Sequence, residues 1–300
     1  MHANLSLTTR LNCKGRTLDF TKGPLIMAIA NTTPDSFFDG GRSRAKALDH
    51  AMHLVDGGAD ILDIGGESTR PGASKVSLEE ELERTIPLVE AVAARSPITI
   101  SIDTYKAGVA EAALQHGAHI VNDISAFALD PAMPSVCARY KAGVVLMHSS
   151  EHPDDMQWST QTRGSKTDIV DTVTKELQHS LEEARRHGIA SIILDPGFGF
   201  GKSVEENYTL LRRLDELHKL GCPLLAGLSR KSFLGAAIAT ENQEQAPPSA
   251  RLTATISANT IALCNGAAIL RVHDIAEALE TRAVVKAAFP PAGNRKTDPE

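Results

Sequence analysis

The sequence has few of the features that mark specialised protein classes. Aromatic residues make up 4% of the 300 residues, which leaves few platforms for stacking nucleic-acid bases. No run reaches the ~18 consecutive apolar residues that a membrane-spanning helix needs. Acidic side chains outnumber basic ones by 37 to 31, and the resulting formal charge of −6 disfavours nucleic-acid binding. What remains is the ordinary composition of a globular protein without nucleic-acid or membrane partners.

Cysteines are also scarce, and the four that occur are far apart in the chain. No CxxC pair accompanies them, and no histidine stands at zinc-finger spacing, so neither a disulfide framework nor a structural zinc site is expected. The first residues lack the basic stretch and apolar core of a secretory signal. Scattered, reduced cysteines are typical of a cytoplasmic protein. The four are Cys13, Cys137, Cys222 and Cys264.

Eight short apolar runs alternate with longer amphipathic stretches. Each run is rich in Ile, Val and Leu on both alternating faces, which is typical of strands buried on both sides of a parallel sheet. Such alternation predicts a single-domain α/β fold, the (β/α)8 barrel. A doubly wound sheet is disfavoured because no GxGxxG segment follows the first run. The runs cover 24–30, 59–64, 98–102, 118–121, 143–147, 191–194, 223–227 and 267–270.

The intervening stretches predict helices with recognisable ends. Ser77 and Glu80 have the spacing of a capping box before an apolar stripe. Helices are also predicted over 105–117, 167–187 and 206–221, each ending at or before a glycine.

The pattern divides the chain into three parts. Residues 1–23 form an N-terminal extension, a candidate hairpin that closes the bottom of the barrel. Residues 24–289 form the barrel, and 290–300 have the composition of a disordered tail.

Polar side chains follow the strands where each strand ends. In this fold the reactive face is built from those ends, so we expect the side chains to converge. Asp103, Asn122 and Asp195 offer acceptors and an amide, which suits a planar heterocycle with several N–H groups. Lys231 can hydrogen-bond the same ring or join an anion site. The sequence therefore predicts a pterin-like or purine-like ring at the base of the mouth.

A second set of strand-end groups is cationic. Arg70, Arg271 and His273 can neutralise an anion such as a phosphate or pyrophosphate at the rim. Asn31 and Asp35 offer oxygen atoms that can assist a Mg²⁺ held mainly by phosphates.

Three glycine-containing segments follow strands, at 33–41, 65–72 and 195–202. The first two can close over a site and exclude water, although glycine and proline also serve ordinary turns. The third lacks the spacing of a P-loop, and its Phe200 can cover an aromatic substrate.

Five segments together resemble dihydropteroate synthase, in the right order and with the right intervals, over about residues 24 to 287. The segments are 31–37, 65–72, 195–202, 229–232 and 271–274.

The resemblance implies an activity and a set of site residues. Members of that family join p-aminobenzoate to 6-hydroxymethyl-7,8-dihydropterin pyrophosphate, release pyrophosphate, are targets of sulfonamides and are usually dimeric. The implied pterin-binding residues are Asp103, Asn122, Asp195, Gly227 and Lys231. The implied pyrophosphate-binding residues are Asn31, Thr69, Arg70, Arg271 and His273, with Asn31 also on Mg²⁺. The implied p-aminobenzoate-binding residues are Thr69, Arg70, Pro71, Phe200, Ser229 and Lys231. The implied catalytic residues are Asp35, Arg70, Asp103 and Lys231.

An SN1-like path fits these residues, with Asp103 stabilising a cationic pterin after pyrophosphate leaves and the two early loops excluding water. Two alternatives stay open. A pterin-dependent methyltransferase domain shares the barrel, but it does not need the cationic segments 229–231 and 271–273. A non-catalytic paralogue that only binds pterin is the second, and intact motifs disfavour it.

Overall fold

The computed structural model describes residues 9–32, 41–67, 75–149, 167–241 and 243–289. Ten strands and nine helices occur in this part of the chain. The strands are β1 (Arg10–Cys13), β2 (Arg16–Asp19), β3 (Leu25–Asn31), β4 (Ile61–Gly65), β5 (Thr99–Asp103), β6 (Ile120–Asp123), β7 (Gly143–Met147), β8 (Ile192–Asp195), β9 (Leu225–Ala226) and β10 (Ile269–Val272). The helices are α1 (Gly41–Asp56), α2 (Leu78–Ala93), α3 (Ala107–Gln115), α4 (Met133–Tyr140), α5 (Ile169–Arg186), α6 (Val204–Arg212), α7 (Ser232–Ala237), α8 (Leu252–Cys264) and α9 (Ile275–Ala288).

Eight of the strands form one parallel sheet that curves into a barrel. Their order is β8-β7-β6-β5-β4-β3-β10-β9, and a parallel bridge between Leu194 and Leu224 joins the two edges. Each predicted apolar run overlaps one of these strands, and helices follow them as predicted. The (β/α)8 barrel is therefore confirmed. No helix in the described part of the chain is long and apolar enough to span a membrane.

The N-terminal extension contains the expected hairpin. Strands β1 and β2 pair antiparallel, and their Leu11, Cys13 and Leu18 are buried. The Ser191 hydroxyl donates to the Asn12 carbonyl at 2.7 Å, which fixes the hairpin beside the start of β8. The hairpin packs on inward-facing apolar residues of every barrel strand except β5. These are Met27, Ile61, Ile120, Val145, Ile193, Leu225 and Ile269.

Helix ends differ in detail from the sequence expectations. Ser77 Oγ accepts from the Glu80 N–H at 3.1 Å, but the Glu80 carboxylate pairs with Arg84, so only half of the expected capping box forms. Asp168, predicted inside a helix, is instead the N-cap of α5 and accepts from the Val170 N–H at 2.8 Å.

The helix predicted over 206–221 is two elements. A complete capping box between Ser203 and Glu206 starts α6 earlier than expected. That helix ends at Arg212, and Leu214–Leu220 forms a 3₁₀ helix because Arg213 has a non-helical backbone, with φ of −111°.

Candidate functional site

The carboxyl ends of the barrel strands surround a cavity of about 350 Å³. That volume suits a small-molecule site. Asp35, Thr69, Arg70 and Pro71 lie outside the described residues. All the other predicted site residues line the cavity. They are Asn31, Asp103, Asn122, Asp195, Phe200, Gly227, Ser229, Lys231, Arg271 and His273.

Strand periodicity explains why these side chains meet. Successive residues of a strand alternate between the two faces of the sheet, so positions two apart face the same side. Ile120 faces the apolar bottom of the barrel, and Asn122, two residues later, faces the cavity. The same step leads from Ile193 to Asp195.

Arg271 lies between two carboxylates at the base of the cavity. Its Nε donates to Asp63 Oδ2 at 2.7 Å and its Nη2 to Asp103 Oδ2 at 2.6 Å. Burial works against the charge of Arg271, but the two carboxylates outweigh it and raise the pKa of Arg271 above its ordinary value. Burial raises the pKa of the Asp103 carboxyl to about 7, and Arg271 opposes that rise. One cation thus faces two carboxyl groups.

Asp63 is a site residue that the sequence reasoning did not select. It is fully buried, and its Oδ2 also accepts from Asn122 Nδ2 at 3.0 Å. It therefore orients both Arg271 and Asn122. The signal in the sequence was a carboxylate inside the apolar run 59–64, where a buried charge requires a partner. Within the described residues, Asp63 Oδ1 and Asp103 Oδ1 have no hydrogen-bond partner.

The segment after β8 wraps tightly around Asp195. The Asp195 Oδ1 accepts from the Gly197 N–H at 2.7 Å, and burial raises the pKa of Asp195. Gly197 has φ of +68°, and a Cβ there would lie 1.8 Å from the His148 carbonyl oxygen. Only glycine fits this approach between the loops that follow β7 and β8. At Gly227, an added Cβ would lie 3.8 Å from Asp195 Oδ2, so the backbone of that glycine also approaches Asp195.

Lys202, at the end of the same segment, is the second residue that sequence reasoning did not assign. It is 2% exposed, and its Nζ donates to the carbonyls of Gly197 at 2.7 Å, Phe200 at 3.2 Å and His148 at 3.4 Å. Burial lowers the pKa of Lys202 to about 7, opposed by Asp195. Its position in the glycine-rich segment was visible in the sequence, but its inward direction was not.

Cationic and hydroxyl groups form the opposite side of the cavity. Lys231 Nζ lies 4.0 Å from the centroid of the Phe200 ring, a cation–π distance. The Ser229 hydroxyl lies 2.9 Å from His273 Nδ1. These contacts bring the predicted residues of segments 195–202, 229–232 and 271–274 together.

The backbone that carries Ser229 and Lys231 is held in an unusual conformation. Arg230 between them has φ of +57°, which costs energy for a residue with a Cβ. Its N–H donates to Thr255 Oγ1 at 3.0 Å, and its carbonyl accepts from Arg251 Nη1 at 2.8 Å. Its side chain pairs with Asp274. These contacts from α8, its N-cap Arg251 and the α9 N-cap Asp274 maintain the conformation.

A family model for pterin binding enzymes matches residues 27–273. The chain is 47% identical over 266 residues to dihydropteroate synthase of Synechocystis sp., covering 87% of this chain and 89% of the relative. It is 41% identical over 291 residues to the Escherichia coli K12 enzyme of the same name, covering 96% and 99%.

Solved structures of similar proteins agree. Dihydropteroate synthase of Xanthomonas albilineans with 4-aminobenzoic acid is 39% identical, with a TM-score of 0.83 and coverage of 95% of this chain and 99% of that one. The Yersinia pestis enzyme in a sulfonamide complex is 40% identical, with a TM-score of 0.82 and coverage of 93% and 98%. The chain belongs to the dihydropteroate synthase family of pterin-binding enzymes.

Proposed function

We propose that the chain condenses 6-hydroxymethyl-7,8-dihydropterin pyrophosphate with p-aminobenzoate, giving 7,8-dihydropteroate and pyrophosphate. The observation that carries this function is the meeting of Asp103, Asn122 and Asp195 at the base of a cavity whose other side is cationic. Solved relatives hold 4-aminobenzoic acid and 7,8-dihydropteroate, one substrate and the product of this reaction. The non-catalytic and methyltransferase alternatives have no comparable support.

The pterin binds at the base of the cavity. Asp195 accepts two parallel hydrogen bonds from the amino group and the adjacent ring N–H, an arrangement that favours a planar heterocycle. Asn122 contributes both an acceptor and a donor, and Lys231 donates to the ring. Gly227 leaves space beside Asp195 for the edge of the ring.

The charge around Arg271 supports an SN1-like path. One guanidinium faces the two carboxylates of Asp63 and Asp103, so this cluster carries a net negative charge when both are ionised. The bond between the pterin methylene carbon and the pyrophosphate oxygen breaks, and the electron pair leaves with pyrophosphate. Positive charge then develops on the pterin, and a fixed negative group nearby stabilises it without reorganisation.

The leaving group binds where Arg271 and His273 supply hydrogen-bond donors. Asn31 also lines the cavity, with its side chain amide oxygen available as a ligand. No group of three His, Cys, Asp or Glu side chains in the described part of the chain could hold a metal ion alone. Asn31 and Asp35 would assist a Mg²⁺ that binds together with the pyrophosphate, since both offer oxygen ligands. Bound there, Mg²⁺ supplies charge neutralisation for departing pyrophosphate.

The p-aminobenzoate ring binds beside Phe200, Ser229 and Lys231. Its amine donates a lone pair to the methylene carbon, forms the new C–N bond and releases a proton to solvent or to pyrophosphate. The resemblance to the family also assigns Thr69, Arg70 and Pro71 to p-aminobenzoate.

Two further properties belong to this proposal. A homodimer is supported by exposed apolar side chains on α8 and α9, Ile261 at 45% and Val284 at 66% exposure. Light scattering after size exclusion tests it, and a 32.0 kDa mass would contradict it. A cytoplasmic location is supported by three buried, unpaired cysteines, which suit a reducing compartment.

Pyrophosphate release from the purified protein tests the reaction. The assay contains the pterin pyrophosphate and Mg²⁺, with and without p-aminobenzoate. We expect release that depends on p-aminobenzoate, with dihydropteroate formed in equal amount. Pterin binding without any release would contradict the proposal and favour a non-catalytic pterin-binding protein.

A further inference from the structure

Lys202 makes an unusual set of contacts for a buried lysine. An ammonium has three N–H donors, and Lys202 directs its Nζ at three main-chain carbonyls. Two belong to its own segment, Gly197 and Phe200, and the third is His148 in the loop after β7. Among the described residues Lys202 makes no ion pair, although the charge of the Asp195 carboxylate acts on it. The contacts of Lys202 therefore act on the shape of two loops.

The N–H groups of the turn over 197–200 are bound without Lys202, since Gly197 donates to Asp195 Oδ1 and Gly199 to Asn207 Oδ1, both at 2.7 Å, whereas its carbonyls at 197 and 200 are bound by Lys202. Gly197 and Gly199 have φ of +68° and +81°, conformations that glycine samples freely and that loops readily leave. Within the turn, the Phe200 N–H donates to the Gly197 carbonyl at 3.2 Å. Lys202 binds the carbonyls at both ends of that same turn. It thus fixes where the Phe200 ring enters the cavity, 4.0 Å from Lys231 Nζ.

Two groups at the base of the cavity have supports of their own. Asp103 and Asn122 are held by strand pairing and by the Arg271 and Asp63 contacts, none of which involves segment 197–202. Asp195 is paired with Met147 in the sheet, and its Oδ1 also accepts from the Gly197 N–H. A change at Lys202 should therefore displace Phe200 more than it displaces Asp103 and Asn122.

We propose that Lys202 is a positioning residue for p-aminobenzoate, holding Phe200 against the second substrate by tying three main-chain carbonyls together. This inference rests on the proposed function. It assigns Lys202 no contact with either substrate.

Steady-state kinetics of Lys202→Met test the proposal. We expect KM for p-aminobenzoate to rise about tenfold, since loss of these hydrogen bonds frees the turn, while KM for the pterin pyrophosphate changes less than about twofold. Lys14→Met is the matched control, because Lys14 also donates to two main-chain carbonyls, Leu114 and Ala118, but beside the hairpin. We expect that control to leave both KM values unchanged.

A double-mutant cycle with Phe200→Leu separates positioning from general stability. If Lys202 acts through Phe200, adding Lys202→Met to Phe200→Leu should raise KM for p-aminobenzoate little further. Additive effects, equal losses for both substrates, or a Lys202→Met enzyme within twofold of wild type would each overturn the proposal.

Folding and function are kept apart in this experiment. If Lys202→Met is not recovered folded by circular dichroism, Lys202→Gln takes its place in the cycle because an amide keeps two N–H donors. Failure of both to fold would make Lys202 a stability residue and overturn the proposal. A wild type without p-aminobenzoate-dependent release would instead contradict the proposed function.

Discussion

The two ends of the barrel differ sharply although the same strands build both. At the amino end, the inward-facing side chains are Ile61 on β4 and Ile269 on β10, and the hairpin covers them. Two residues later on the same strands stand Asp63 and Arg271, which pair at 2.7 Å. A step of two residues along a strand thus separates an apolar layer from an ionic one.

The difference shows where stability and chemistry are located. Each fully buried Ile or Leu at the amino end contributes roughly 1.5–3 kcal/mol. Buried charges at the carboxyl end bring little net stability, because desolvation offsets much of their attraction. The apolar end therefore supports a polar end that is arranged for binding. Changes at the two ends should separate into losses of stability and losses of activity.

Asp103→Asn should give the largest effect, confined to activity. It removes one of the two carboxylates on Arg271 and, in the proposed path, the negative charge that stabilises the cationic pterin. We expect kcat to fall about 1,000-fold, or about 4 kcal/mol, as for loss of a strong electrostatic group. Pyrophosphate affinity should stay nearly intact. Single-turnover kinetics measure the chemical step and pyrophosphate titration measures the affinity, with Asp171→Asn at an exposed position as the control. Equal losses in the chemical step and in pyrophosphate affinity would count against this role of Asp103.

The substitutions Gly197→Ala and Gly188→Ala test two glycines of similar backbone conformation. Gly197 lies at the carboxyl end of the barrel and Gly188 at the amino end. Both glycines have positive φ, +68° and +78°, so alanine is strained at either position. At Gly188, before β8, a Cβ meets nothing within 4 Å, and we expect a loss of about 1 kcal/mol. At Gly197 the clash with the His148 carbonyl adds to the strain. We expect the free energy of unfolding, measured in urea, to fall by about 3 kcal/mol. Equal losses would mean that the approach of the two loops relaxes freely.

Leu18→Ala tests the amino end alone. Leu18 is 3% exposed beneath the barrel, so its truncation leaves a cavity between hairpin and strands. We expect unfolding free energy to fall by about 2 kcal/mol, at the low end of the usual range because a two-stranded hairpin can move inward. Both KM values and kcat should remain within twofold of wild type. A loss of activity in folded protein would show that the hairpin also shapes the site.

Sequence periodicity was sufficient for the barrel but not for its internal contacts. Alternating apolar runs are local, so each strand could be predicted within a few residues. The pairing of Asp63 with Arg271 spans 208 positions and depends on barrel closure. For the same reason Asp63 was noticed only as a strand residue. The break of the helix predicted over 206–221 falls at Arg213, whose side chain pairs with Asp168 at the start of α5, a contact between elements that local periodicity cannot show.

The glycine-rich segment 195–202 shows the limit in another way. Its glycines predicted an approach of the backbone to a ligand, and the structure shows that Gly197 also allows the close approach of the His148 carbonyl. The direction of Lys202 could not be read from the sequence, because a lysine after glycines is ordinarily solvated. It points inward because three carbonyls from two loops converge on one point.

Substitution of His119 should have the smallest effect of these changes. Like Leu18→Ala, it should alter the stability of the amino end without altering activity. The Nδ1 of His119 accepts from the Ile100 N–H at 3.1 Å, and burial, with Arg16 and Lys14, lowers the pKa of His119 to about 4. In the unfolded chain the pKa is about 6.5. Between these values the unfolded state binds more protons, so stability should fall as pH falls from 6.5 towards 4.

His119→Asn keeps an acceptor for the Ile100 N–H but cannot titrate. We therefore expect urea unfolding to lose part of its dependence on pH between 6.5 and 4, whereas exposed His179→Asn should retain it. Catalytic constants at pH 7 should not change, since His119 is neutral there and lies beside the hairpin. If His119→Asn keeps the full slope, other groups carry the acid sensitivity. A changed kcat would show that the apolar and ionic layers are coupled along β6, despite the two-residue step that separates them.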